Sequence, residues 1–217
     1  MSPRIKVCGL TRVTDARLAA RLGADYLGVV QHPASPRYLA PEQAAAITAA
    51  VDGPIPVGVF VDRAAEAVVA DCALAGFRVA QLHGDEPPEA CAAVRAAGLG
   101  VVKAFRVRPG ESAAALDARV APYLGVVDAV LLDAYHPDAH GGTGRRFDWA
   151  LARPLARRLP LFLAGGLGAA SVAEATAAVA PFALDLSSSV EAAPGRKDAR
   201  KLAALFDACR ALSAPVA

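Results

Sequence analysis

Short apolar runs and alanine-rich stretches alternate along the whole chain. The apolar runs, rich in Val, Leu and Ile, lie at 4–8, 24–30, 56–61, 77–82, 100–105, 127–132, 161–164 and 182–186. Short apolar runs of this kind are typical of strands that are buried on both faces of a parallel sheet. The pattern therefore predicts eight strands.

A stretch with helical spacing follows each predicted strand. These stretches cover 16–22, 41–51, 64–75, 87–97, 112–121, 148–158, 169–179 and 198–211. Gly23 closes the first and Pro41 opens the second, as expected at helix ends. Eight strands alternating with eight helices predict an α/β fold, a single-domain (β/α)8 TIM barrel. An open doubly wound sheet is the alternative, but residues 8–12 lack the glycine-rich turn that it needs after its first strand.

Composition and charge narrow the classes of protein. No linker divides the 217 residues, so we predict one (β/α)8 barrel catalytic domain over residues 1–217. The 23 basic and 21 acidic residues are spread along the chain and leave a net charge of +2, which argues against nucleic acid or a membrane surface as the main partner. The sequence contains neither a signal-peptide core nor an 18-residue apolar span, so we expect a cytoplasmic protein.

The last two predicted strands are each followed by a segment suited to binding an anion. Gly165 and Gly166 follow the seventh strand, and three serines at 187–189 follow the eighth. Either segment alone is explained by a tight turn or a polar loop. Together, at the ends of strands seven and eight of a barrel, they predict a phosphate site, because backbone N–H groups there can approach an anion closely.

Side-chain alternation along the first strand predicts which residues face the barrel interior. Ile5 and Val7 share one face and should meet the helices, so Lys6 and Cys8 should point inward. A cation beside Cys8 favours the thiolate, which makes this cysteine a candidate base near neutral pH, although most free cysteines are small buried apolar groups. We assign the other three cysteines, at 72, 91 and 209, to that structural role. No spacing of the four indicates zinc or a disulfide framework.

Asp133 follows an apolar strand and would lie on the same face as Leu131. Desolvation at a strand end raises a carboxyl pKa, so this residue is a candidate general acid; a turn or helix-cap aspartate is the alternative. The glycine-rich segment 140–146 lacks the ending of a nucleotide-binding P-loop and is predicted to be a lid.

Two further sites have weaker signals. Arg37 lies in a proline-stiffened loop after the second strand, where a guanidinium can bind a carboxylate at two points; a solvated surface arginine is the alternative. His83 shares a strand face with Gln81 and stands close to Asp85. One histidine with neighbouring acids is a poor metal signal, so we expect structural roles there and no metal.

Eight segments resemble the phosphoribosylanthranilate isomerase family in order and spacing. They are KVCGLT at 6–11, GADYLG at 23–28, SPRY at 35–38, VGVFV at 57–61, QLHGDE at 81–86, KAFR at 103–106, GGTG at 141–144 with FDW at 147–149, and LAGGL at 163–167. The resemblance spans almost the whole chain.

The resemblance implies an isomerase of tryptophan biosynthesis. It would convert N-(5-phosphoribosyl)anthranilate, a small phosphorylated substrate, into 1-(2-carboxyphenylamino)-1-deoxyribulose 5-phosphate by an Amadori rearrangement, with no metal or organic cofactor, as a monomer or homodimer. The roles it implies are the general base for Cys8, the general acid for Asp133, the anthranilate carboxylate contact for Arg37, a sugar hydroxyl contact for Asp185, and phosphate contacts for Gly166, Ser188 and Ser189. The chemistry agrees, since opening a furanose needs an acid at the ring oxygen and the next step needs a base at C2.

This chain departs from the family pattern at three places. Ser189 replaces a glycine, so a positive φ there would be strained. Ala134-Tyr135 follows the proposed acid where a small hydroxyl residue is usual, and Gln31-His32 replaces an apolar and aromatic pair.

Other functions on the same barrel remain alternatives. A metal-dependent epimerase would need paired His and Asp ligands on several strands, which we do not find. A phosphate-binding protein without activity would have no need for both Cys8 and Asp133 at strand ends. A barrel that isomerises two sugar phosphates would show a catalytic aspartate in each half, whereas the first half here offers a cysteine.

Overall fold

The eight predicted strands form a closed parallel barrel. The computed structural model describes residues 2–134 and 147–212. Its barrel strands are β1 Arg4–Val7, β2 Tyr26–Val30, β3 Ile55–Phe60, β4 Val79–Leu82, β5 Gly100–Val107, β6 Ala129–Ala134, β7 Leu161–Leu163 and β8 Ala183–Leu186. Each strand pairs with the next, and β8 pairs with β1 to close the barrel. The predicted fold class is therefore confirmed, while the domain bounds 1–217 stay a prediction.

Helices surround the barrel between successive strands. They are α1 Val13–Leu22, α2 Pro41–Thr48, α3 Ala65–Ala75, α4 Pro88–Ala96, α5 Ala113–Val120, α6 Arg153–Ala156, α7 Val172–Val179 and α8 Ala199–Ala211. Gly23 ends α1 with a φ of 106°, as predicted from its position. None of the helices in the described part of the chain is both long and apolar enough to cross a membrane.

The helical stretch predicted near 148–158 is present, but it is shorter and is not one continuous α-helix. The chain there forms a 3₁₀ helix at Trp149–Ala152 and then the single turn α6. Pro154 explains the break, because it has no N–H to donate to a carbonyl one turn earlier and so cannot continue a helix from 150.

The core has two layers, which confirms the predicted alternation. Ile5 and Val7 belong to the large apolar cluster between the sheet and the helices. Leu131 belongs to a smaller cluster inside the barrel. Because neighbours on a strand face opposite sides, this arrangement puts Lys6 and Asp133 on the inner side.

A small hairpin after the barrel has no counterpart in the predicted elements. After a 3₁₀ helix at Ser188–Val190, the chain forms β9, Glu191–Ala193, and β10, Arg196–Lys197, which pair antiparallel. The hairpin positions two buried charged residues, Glu191 and Lys197, next to the C-terminal ends of β1 and β8.

Candidate active site

A buried ion pair joins β1 to β8. Lys6 and Asp185 are partners in the register of the two strands, and the Lys6 Nζ lies 2.9 Å from the Asp185 Oδ2. Burial alone would lower the pKa of Lys6, but the Asp185 carboxylate and Cys8 together raise it above its ordinary value. The other carboxylate oxygen of Asp185, Oδ1, is buried and accepts no hydrogen bond from any described residue. Sequence reasoning predicted the inward Lys6 but not this pairing.

Cys8 follows β1 and is buried beside Gly28. A Cβ built on Gly28 would lie 2.8 Å from the Cys8 Sγ, so a side chain at position 28 would displace the thiol. Burial raises the pKa of Cys8, although the Lys6 ammonium lowers it. The expectation that Lys6 favours a thiolate near neutral pH therefore needs correction, because desolvation is the larger effect and the Asp185 carboxylate also raises this pKa.

The other three cysteines are free, buried and helical, as expected. Burial raises the pKa of Cys72 to about 12 and those of Cys91 and Cys209 to about 11. They lie in α3, α4 and α8, on the outer side of the barrel.

Asp133 is a buried carboxyl group near the end of β6, with 6% of its surface exposed. Burial raises its pKa to about 6, against the hydrogen bond that its Oδ1 accepts from the Ala134 N–H at 2.8 Å. Gly165, with a φ of 82°, packs so closely that a Cβ there would lie 3.0 Å from this Oδ1. With a pKa near 6, roughly a tenth of the carboxyl groups keep their proton at pH 7, which suits a general acid.

His83 lies next to Asp133. Its Nε2 is 3.9 Å from the Asp133 Oδ2, and its Nδ1 is 2.9 Å from the Gln81 Nε2. The Asp85 side chain is 91% exposed, and the described residues contain no His, Cys, Asp and Glu group suited to a metal ion.

A buried ion pair that sequence reasoning missed holds the loop that carries His83. The Lys103 Nζ lies 2.9 Å from the Glu86 Oε2 and donates to the Gly84 carbonyl at 2.7 Å. Glu86 in turn accepts from the Asp62 N–H at 2.9 Å. A lysine inside the apolar run 100–105 is the signal that could have revealed it, because a buried ammonium needs partners.

Arg37 lies at the ends of β1 and β8 and already binds a carboxylate of the chain. A Cβ on Gly9 would lie 2.6 Å from the Arg37 Cδ, so the side chain crosses the residue after Cys8. Its Nε and Nη2 donate to Glu191, with the shortest contact at 2.6 Å, and this pairing raises the pKa of Arg37. The alternative of a solvated surface arginine is wrong, and the residue that holds Arg37 was not foreseen.

The two predicted phosphate loops lie side by side. Gly165 and Gly166 have φ values of 82° and 67°, which glycine adopts without strain. A Cβ on Gly168 would lie 3.6 Å from the Ser189 Cβ, so the loop after β7 touches the segment after β8. Ser189 lies in the 3₁₀ helix with Ser188 and has no positive φ, so the strain expected from replacing glycine is absent.

The remaining sequence predictions concern the lid segment, Tyr135 and Gln31. The lid at 140–146 and Tyr135 lie outside the described residues. Gln31 is buried directly after β2.

Comparison with known proteins decides the family. A family model described as N-(5'-phosphoribosyl)anthranilate (PRA) isomerase matches residues 5–208. The chain belongs to the phosphoribosylanthranilate isomerase family. A relative named N-(5'-phosphoribosyl)anthranilate isomerase, from Geobacter sp. strain M21, is 46% identical over 201 residues, which cover 92% of this chain and 94% of the relative.

Solved phosphoribosylanthranilate isomerases have the same fold. The crystal structure of the Thermus thermophilus protein is 43% identical, with a TM-score of 0.86, and the match covers 96% of this chain and 99% of that one. A second crystal structure, 33% identical with a TM-score of 0.83 and the same coverage, is of an isomerase in complex with reduced 1-(o-carboxyphenylamino)-1-deoxyribulose 5-phosphate.

Proposed function

We propose that this chain isomerises N-(5-phosphoribosyl)anthranilate to 1-(2-carboxyphenylamino)-1-deoxyribulose 5-phosphate in tryptophan biosynthesis. The observation that carries the proposal is that one barrel holds both a buried carboxyl group of pKa about 6, on β6, and a buried thiol after β1. Both groups stand at C-terminal strand ends of a barrel that belongs to this enzyme family.

Asp133 supplies the acid for ring opening. Its proton goes to the furanose ring oxygen, the C1–O bond breaks, and the nitrogen lone pair forms the C1=N bond of an iminium ion. Burial favours the protonated carboxyl group that this step consumes. His83, at 3.9 Å from the Asp133 Oδ2, stays close to the carboxylate that remains.

Cys8 supplies the base. Its thiolate removes the C2 proton, the electrons of the C–H bond form C1=C2, and those of the C=N bond return to nitrogen, giving an enolamine that tautomerises to the aminoketone product. The Lys6 ammonium lowers the pKa of Cys8 against the larger effect of burial, so it stabilises the reactive form.

The remaining predicted residues bind the substrate. Asp185 keeps its Lys6 contact through Oδ2, so its Oδ1 is placed to accept a hydrogen bond from a sugar hydroxyl. Gly166, Ser188 and Ser189 hold the phosphate through the two adjacent loops. Arg37 binds the anthranilate carboxylate.

The chemistry of the substrate bears on partners and location. A phosphorylated sugar carries charge that keeps it inside the compartment where it is made, which supports a cytoplasmic enzyme with a small-molecule partner. We infer a monomer or homodimer that does not act on nucleic acid.

The decisive experiment follows the fluorescence of N-(5-phosphoribosyl)anthranilate with the purified chain. We expect first-order loss of the substrate signal that Asp133→Asn and Cys8→Ser variants do not produce. Binding of inorganic phosphate with no loss of substrate would instead support a binding protein without activity.

A further inference from the structure

The hairpin β9–β10 brings a buried cation and a buried anion to the edge of the candidate active site. Lys197 and Glu191 are register partners in the hairpin, and the Lys197 Nζ lies 2.9 Å from the Glu191 Oε1. Both residues are more than nine-tenths buried, with 4% and 6% of their surface exposed. Burying two charges is costly unless their hydrogen bonds are made, so their partners are informative.

Lys197 connects three parts of the site. Its ammonium donates to the carbonyl of Cys8 at 2.5 Å, to the carbonyl of Ser187 at 3.2 Å and to Glu191. These bonds use all three donors of an ammonium group. One side chain therefore links the segment of the proposed base, the segment of the proposed phosphate site and the carboxylate that holds Arg37.

Glu191 holds one edge of the Arg37 guanidinium. Its Oε1 accepts from the Arg37 Nε at 2.9 Å and its Oε2 accepts from the Nη2 at 2.6 Å. The Gly195 N–H also donates to Oε1, at 3.2 Å, which fixes the carboxylate within the hairpin. Burial opposes the charge of Glu191, but Arg37 and Lys197 outweigh it and lower its pKa.

The position of Arg37 makes this contact relevant to substrate. The arginine crosses Gly9, whose φ of +74° and lack of a Cβ leave room for the side chain, and Gly9 also adjoins the Ser187 Oγ. A guanidinium has a side edge formed by Nε and Nη2 and an end edge formed by Nη1 and Nη2. Glu191 occupies the side edge, so an incoming carboxylate would meet the end edge.

We propose that Glu191, braced by Lys197, is a positioning residue that orients Arg37 so that its end edge binds the aromatic carboxylate of the substrate. The inference rests on the proposed function. Glu191 acts through Arg37 and does not touch the reacting atoms, so it contributes to substrate discrimination and not to proton transfer.

The test compares two ligands that differ only in the carboxylate. The first is reduced 1-(o-carboxyphenylamino)-1-deoxyribulose 5-phosphate, and the second is its phenylamino counterpart, which lacks the carboxylate. Dissociation constants are measured by calorimetry for the unmodified chain, Arg37→Ala, Glu191→Gln and the double variant. We expect Glu191→Gln to weaken binding of the first ligand about tenfold, because a charge-assisted contact that orients Arg37 is lost.

Binding of the phenylamino ligand should change less than twofold, and the double variant should bind the first ligand no more weakly than Arg37→Ala alone. The kcat for the natural substrate should stay within about threefold while KM rises. Glu111→Gln is a matched control, because the Glu111 side chain is 5% exposed against 4% for Glu191, and it pairs with Arg119 at 2.6 Å in the loop after β5. We expect Glu111→Gln to leave the dissociation constants of both ligands unchanged.

Glu191→Asp keeps the charge with one methylene fewer, and it replaces Glu191→Gln if circular dichroism shows that the amide variant is unfolded. Equal weakening of both ligands, or additive losses in the double variant, would overturn the inference and leave Glu191 a structural residue of the hairpin. An unmodified chain that isomerises the substrate but does not distinguish the two ligands would overturn it as well. A chain that does not isomerise the substrate at all contradicts the proposed function, and the unmodified protein alone reveals that.

Discussion

Lys6 and Asp185 face each other in register across β1 and β8, and their charges act on both groups that we propose move protons. The Nζ–Oδ2 distance is 2.9 Å. The pair influences the pKa of Cys8 and that of Asp133, with Lys6 lowering each and Asp185 raising each. Within the ion pair, the Lys6 ammonium favours the Cys8 thiolate and the Asp185 carboxylate opposes it. A substitution that breaks the pair would therefore change both the proton-transferring groups and the stability of the barrel interior.

Asp185→Asn is expected to destabilise the protein by about 3 to 5 kcal/mol, because it leaves the buried Lys6 ammonium without its counter-charge. The free energy of unfolding from chemical denaturation measures the effect. The double variant Lys6→Met/Asp185→Leu removes both charges and should recover much of the loss. If Asp185→Asn alone proves neutral, the pair does not stabilise the fold in the way described.

Cys8→Ser is expected to keep the fold and reduce kcat by about 10² to 10⁴-fold, since a hydroxyl is a much poorer base than a thiol. Cys209→Ser is the matched control, because both cysteines are 8% exposed but Cys209 lies in α8, away from the strand ends. The control should retain full activity. A folded Cys8→Ser enzyme with near-normal kcat would exclude the thiol as the base.

Asp133→Asn is expected to abolish ring opening and yet to stabilise the protein at neutral pH. The folded pKa of about 6 lies above the ordinary value of 3.8, so the folded state binds the proton more tightly than the unfolded chain does. The resulting stability is fully present below about pH 4 and is lost as the pH rises through about 6. The shift of about two pKa units corresponds to about 3 kcal/mol.

Asparagine keeps the shape and the acceptor for the Ala134 N–H but has no charge to bury. The gain in unfolding free energy over the unmodified chain should be near zero at pH 4 and about 3 kcal/mol at pH 7 to 8. Denaturation curves over this range check it. A gain that did not depend on pH would point to improved packing instead of the removal of a buried charge.

Gly166→Ala is expected to raise KM and the inhibition constant of inorganic phosphate together. A methyl group strains the backbone at a φ of 67° and disturbs the N–H groups of the proposed phosphate loop. Gly98→Ala is the control, because Gly98 has a φ of +88° with no atom within 4 Å of the added Cβ. It should cost similar stability and leave both constants unchanged, and phosphate should compete with substrate in the unmodified enzyme.

The sequence alone determined the barrel and most of its polar lining. Eight apolar runs alternating with helical stretches specify parallel strands, and the period of two along a strand places Lys6 inside the barrel opposite to Ile5 and Val7. The same local logic identified Asp133 as a carboxyl group at a strand end, where desolvation raises its pKa. Position in the chain also marked Cys8, Arg37 and the glycines at 165 and 166, and the family resemblance added their specific roles.

Only the tertiary structure decided the electrostatics and the partners. Lys6 and Asp185 are 179 residues apart, and Arg37 and Glu191 are 154 apart, so no local pattern couples them. The pKa of Cys8 is raised by burial and lowered by the Lys6 ammonium, which also pairs with Asp185. Only three-dimensional distances show how these effects combine. Lys197 lies among polar residues, and the sequence pattern alone indicates a surface lysine. It is buried because the chain folds back as a hairpin over the ends of β1 and β8. Backbone carbonyls and a carboxylate satisfy its charge there.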